Sequence, residues 1–111
     1  MSLQSEYVVV FVTAKDSQEA EKIAQGLLEK KLAACANILD SLRSVFWWEG
    51  RVDRANEVLL VIKTRIDVME QLITIVKSLH SYDTPEIIAL PIIGGSRDYL
   101  AWIGASVKPC S

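Results

Sequence analysis

His80-Ser81-Tyr82-Asp83-Thr84-Pro85-Glu86 is the densest run of hydrogen-bonding side chains in the sequence. An imidazole, a phenol and two carboxylates supply acceptors, a donor and one group that titrates near neutrality. That set suits a small ion or polar ligand, and a loop between a helix end and a strand is a common place to hold one. The same residues also suit a plain helix C-terminus, where the dipole favours a histidine cation and Tyr82 closes a core.

Other chemistry is thin. The chain has one histidine and two cysteines, Cys35 and Cys110, and lacks the GxSxG, HExxH, GxGxxG and phosphate-loop patterns. Cys35 stands among Ala33, Ala34 and Ala36, which reads as a small packed residue more readily than as a nucleophile. A structural zinc site wants four ligands, usually Cys and His. His80, Cys35, Cys110 and scattered carboxylates do not make one in a single chain, although imidazole and thiolate would suit copper or zinc in a site shared between subunits. Lys63 and Glu57 flank one strand and read either as solvated residues or as walls of a shared cleft.

Phe46-Trp47-Trp48-Glu49 concentrates aromatic area beside a glycine turn. Neighbouring residues on a strand face opposite ways, so Trp47 and Trp48 do not both fill one core. Aromatic residues are enriched at the buried centre of interfaces, so one of the two is expected to meet another subunit, the alternative being a residue that caps the sheet of a monomer.

The chain's 111 residues suffice for one domain, expected over 1–111 with residues 1–5 and 107–111 as flexible tails. Half of the residues are hydrophobic and mean hydropathy is +0.24, high for a small domain and consistent with self-association. A net charge of −2 and a pI near 5.3 lack the basic footprint of a nucleic-acid binder. Uncharged stretches such as 87–96 are half the length of a membrane span. Met1 to Glu6 resembles no secretory signal, which makes the cytoplasm the expected location and free thiols the expected state of both cysteines.

The elements that must position these residues follow from periodicity. Tyr7 to Thr13 is an unbroken β-branched and aromatic run, predicting a central strand buried on both faces. Asp16 and Glu19 form a capping-box pattern ahead of a helix with Ala20, Ile23, Ala24, Leu27 and Leu28 on one face, ending near Lys30 and Lys31. Leu32 to Trp48 predicts one long strand, either bulged or interrupted. A turn at Glu49-Gly50-Arg51 then leads to Val58 to Ile62 as its hairpin partner, with 53–57 as the wetter end. Thr64 and Asp67 suggest a second capping box, before a helix carrying Ile66, Met69, Ile73 and Val76 to about residue 80. Ile87 to Ile93 is a strand, and Pro91 puts it at an edge or a bulge. Ser96 caps a short last helix. The order β, α, β, β, α, β, α fits an α+β ferredoxin-like split βαβ sandwich with both helices on one face.

Lys31-Leu32-Ala33-Ala34-Cys35-Ala36-Asn37-Ile38, Trp47-Trp48-Glu49-Gly50, Val58 to Thr64, His80 to Glu86 and Tyr99-Leu100-Ala101-Trp102 appear in this order. Together they strongly resemble the CutA family of divalent-cation tolerance proteins, with the likeness running from about Tyr7 to Ile103. The resemblance implies a PII-like, ferredoxin-like homotrimer whose long hairpins pair between subunits. It implies a non-enzymatic role in the response to metal ions, with copper or another divalent metal ion as ligand.

Carried onto this chain, the resemblance makes His80 and Glu86 the candidate metal ligands. Trp48, Lys63, Tyr82 and Asp83 become the lining of a ligand cleft, and Phe46, Trp47 and Trp48 the trimer interface. Some family members have a cysteine and a second histidine where this chain has Val12 and Leu79, and more often a proline where it has Ser81. Two other readings use the same residues: a PII-like sensor of a small anionic ligand, and a trimeric scaffold for protein partners.

Overall fold

The computed structural model describes residues 6–108. Its elements are β1 (Tyr7–Ala14), α1 (Ser17–Glu29), β2 (Cys35–Trp48), β3 (Arg51–Arg65), a 3-10 turn (Ile66–Val68), α2 (Met69–Leu79), β4 (Ile87–Pro91) and α3 (Arg97–Ser106). One antiparallel sheet in the order β2-β3-β1-β4 joins all four strands, the ferredoxin-like arrangement. Pro91 ends an edge strand, where its missing N–H costs no ladder bond. This strand stops two residues earlier than expected.

β1 is central, but one chain covers only one of its faces in full, α3 reaching the other at the Tyr7 end. Val8, Val10 and Val12 are buried with Leu60 and Ile62 of β3 against Ile23 and Leu27 of α1 and Leu72 and Val76 of α2. Val9 and Phe11 point the other way and stay partly exposed. Their cross-strand neighbours on that open face include Val61 of β3 and the exposed Ile88 and Leu90 of β4. An uninterrupted apolar run therefore lies on a sheet whose second face is covered only at one end, where α3 crosses it beside Tyr7, and is otherwise open.

α1 begins as expected, with the Asp16 side chain accepting the Glu19 N–H at 2.9 Å. Leu28, expected on its inner face, is exposed. The second capping box does not form: no side chain caps α2, and Thr64 is a buried β3 residue whose hydroxyl donates to Leu32 O at 2.7 Å. β3 runs on to Arg65, and the 3-10 turn resets the phase of the following helix. Val68, Leu72 and Val76 are consequently its fully buried residues, while Ile66 is exposed and Ile73 is not in the core.

β2 is long and bulged between Leu39 and Leu42, with Ser41 at φ 66°. Consecutive positive φ values at Glu49 (49°) and Gly50 (78°) match the twist of a two-residue hairpin turn. The segment 53–57 is strand throughout, so β2 and β3 project as a two-stranded arm beyond the helical layer. Ser96 caps α3 by accepting the Tyr99 N–H at 3.3 Å. Val107, expected to begin a tail, is buried, and the Lys108 N–H donates to Lys31 O at 2.9 Å. Residues 1–5 and 109–111, and with them Cys110, lie outside the described residues.

Candidate functional site

The loop after α2 is organised by a carboxylate from the other helix. Glu19, in the first turn of α1, is only 8% exposed. Its Oε2 accepts the Ser81 main-chain N–H at 2.9 Å, and its Oε1 accepts the Lys15 N–H at 3.1 Å. Burial alone would raise this carboxyl, but bonds from the Ser81 side chain and from the Lys15 and Ser81 main chain, with the His80 ring nearby, outweigh it. The net effect holds the group below its ordinary value.

His80 is fixed from two sides. Its side chain is fully buried, Nε2–H donates to Thr13 O at 2.7 Å, and Nδ1 accepts the Tyr82 N–H at 3.0 Å. A carbonyl oxygen only accepts, so this network sets the proton on Nε2. Nδ1 also lies 3.7 Å from Glu19 Oε1. Tyr82 packs beside the imidazole with ring centroids 4.7 Å apart and donates its hydroxyl to Glu57 Oε2 at 3.1 Å. Glu57 is 8% exposed although it stands in the segment expected to be wet. Burial, then the bond to Glu57 and the charge of that carboxylate, push the Tyr82 phenol up to about 12.

The chain does not bring the expected cleft residues together. Tyr82 stands with Glu57 at the root of the arm, and Asp83 is exposed in the same loop. Trp48 pairs with Arg51 at the arm's tip, whereas Lys63 pairs with Cys35 at the opposite end of β3, about 40 Å away at 3.3 Å per residue. Trp47 and Trp48 are 75% and 58% exposed, and Phe46 is exposed as well.

A metal ion fits the residues of one chain poorly. Both His80 nitrogens already have partners and Glu86 is exposed. Among the described residues no three His, Cys, Asp or Glu side chains converge. Cys35 is a free thiol, half-buried on β2.

Sequence reading saw Glu19 only as half of a capping box. The bond that matters spans 62 positions, and no local spacing announces it. Asn37 carried no functional signal either, yet its Oδ1 accepts from Lys63 Nζ and lies 3.7 Å from the Cys35 sulfur.

A profile of the family described as CutA1 divalent ion tolerance protein matches residues 8–106. The chain belongs to the CutA1 family. It is 43% identical to the divalent-cation tolerance protein CutA of Pectobacterium atrosepticum, over 91% of this chain and 92% of that protein. Protein CutA 1, chloroplastic, of rice (Oryza sativa subsp. japonica) is 45% identical over 91% of this chain, which spans only 57% of the rice protein's length.

Among solved CutA structures, that of the Thermus thermophilus protein superposes with a TM-score of 0.91. It is 41% identical, over 92% of this chain and 99% of that one. The Archaeoglobus fulgidus structure, described as a periplasmic divalent cation tolerance protein CutA, gives 0.89 at 44% identity over 92% and 99%. These matches support the ferredoxin-like α+β fold directly. Among the described residues no helix is long and apolar enough to cross a membrane.

Proposed function

We propose that this CutA-family chain works as a cytoplasmic, non-enzymatic homotrimer that holds small ions or ligands in clefts between its subunits. The single observation that carries the reading is the open sheet face. Val9, Phe11, Val61, Ile88 and Leu90 form an apolar surface on the strand the sequence marks for burial on both sides. A second copy is the covering layer that satisfies it, and the family resemblance implies three copies. Phe46, Trp47 and Trp48 on the projecting arm extend that contact. A neighbour's arm would also carry Trp48 to residues it does not reach within its own chain, so that Trp48, Lys63, Tyr82 and Asp83 line clefts only in the assembly.

Copper or another divalent metal ion enters this reading as a guest between subunits. His80 and Glu86 are the share the family resemblance assigns to this chain, with the remaining ligands drawn from a neighbouring subunit because one chain brings no set of three together among its described residues. Using Nδ1 requires the Tyr82 N–H to leave it. Calorimetric titration of copper(II) and zinc(II) into metal-free protein, with wild type and His80→Ala compared at constant molar mass, tests the site. Saturable binding lost in His80→Ala supports it, and binding that His80→Ala leaves unchanged removes His80 from the role.

A further inference from the structure

Lys63 occupies an unusual position on the open face. It lies in the cross-strand row Cys35, Lys63, Val9, Leu90, next to the row Asn37, Val61, Phe11, Ile88. Among the described residues the ion pair is Arg65 with Asp67, the His80 ring approaches Glu19 through an Nδ1 that carries no proton, and no carboxylate pairs with Lys63. Its neighbour is instead a neutral amide: Lys63 Nζ donates to Asn37 Oδ1, which the Cys35 thiol also approaches.

Counting donors and acceptors gives the cluster a chemical sign. An ammonium has three N–H donors and no acceptor, and a carboxamide has one oxygen and two N–H donors. Asn37 Oδ1 is already occupied by Lys63 and Cys35. Two ammonium hydrogens and both amide hydrogens are left, all donors, with no partner among the described residues. Tyr99 of α3 brings a hydroxyl to Cys35, and burial together with the adjacent sulfur raises its phenol above the ordinary value. A positively charged, donor-rich corner thus adjoins an apolar floor of Val9, Val61 and Phe11.

We propose that Lys63 and Asn37, beside Tyr99, form a subsite for a small carboxylate anion with an apolar body, the carboxylate meeting the free N–H groups and the body lying on Val9 and Val61. This deepens the cleft reading above and rests on it: at the end of the covered face, the subsite opens between subunits. Charge-assisted hydrogen bonds to a carboxylate are stronger than neutral ones, which gives the pairing its specificity.

Titration of the isotopically labelled protein with benzoate and with inorganic phosphate, followed by the Asn37 side-chain amide resonances, tests this. Benzoate is expected to shift them saturably, with phosphate, which lacks an apolar body, at least tenfold weaker. Lys63→Met should weaken benzoate at least tenfold, and so should Asn37→Asp, which hands Lys63 a carboxylate of its own.

Absence of a saturable shift, equal binding of phosphate, or unchanged affinity in either variant overturns the subsite. So does a trimer that dissociates in Lys63→Met, because a neighbouring copy's carboxylate is then the anion. Light scattering on the wild type separates the two readings: a monomer that still binds benzoate overturns the assembly and leaves the subsite standing.

Discussion

The main-chain N–H of Ser81 donates to the carboxylate of Glu19 across 62 positions of sequence, at 2.9 Å. This bond ties the loop after α2 to the first turn of α1, and the positions of His80 and Tyr82 depend on it. Glu19 therefore acts on the candidate site by holding the loop that carries it.

Its lowered pKa gives a pH dependence with a definite sign. A carboxyl held below its unfolded value stabilises the fold above that value, and the contribution disappears as pH falls through the folded one. The stability advantage of wild type over Glu19→Gln should be full at neutral pH and shrink from about 4.5 downward. Urea unfolding of both proteins between pH 7 and 3 checks this, and a constant difference contradicts it.

Tyr82→Phe removes the hydroxyl that satisfies the buried Glu57 carboxylate. An unmet buried acceptor costs about 1–3 kcal/mol, so the variant should lose roughly that much in denaturant unfolding. Spectrophotometric titration should also lose the tyrosine that ionises at about 12.

The phase of α2 is open to a paired test. Leu72 is fully buried and Ile73 only partly so. Leu72→Ala should cost about 2–5 kcal/mol and Ile73→Ala distinctly less in the unassembled chain. Equal losses in chemical denaturation would contradict the burial order.

Gly50 stands at φ 78° with open space around it. An alanine there meets no neighbour and suffers only the left-handed backbone, a cost of about 1–2 kcal/mol. Thermal unfolding of Gly50→Ala should show that loss, with the sheet spectrum retained.

Much of the fold is legible in the residues because its signals are local. The apolar run at Tyr7, the Asp16 and Ser96 caps, the long aromatic strand and the edge proline each act through a few neighbours, and the structure agrees with them, except that the Tyr7 run is a central strand buried on one face and not on both. The phase of α2 was not legible: the Thr64 hydroxyl is spent on Leu32 O, and continuation of β3 to Arg65 delays the helix. At the site, the loop residues announce themselves by composition, while their partners Glu19, Glu57 and Asn37 come from distant segments. The pairing of Glu57 with Tyr82 is set by strand register and loop path, which no short pattern encodes.

The homotrimer is the central claim, and its molar mass by light scattering tests it most directly when wild type is compared with Ile88→Asp. Ile88 is 51% exposed in the single chain, so a charge there is tolerable to an isolated subunit and costly once the open face is covered. The account predicts three chains for the wild type and folded single chains for Ile88→Asp. A monomeric wild type, or an Ile88→Asp trimer of undiminished stability to dilution, would contradict it.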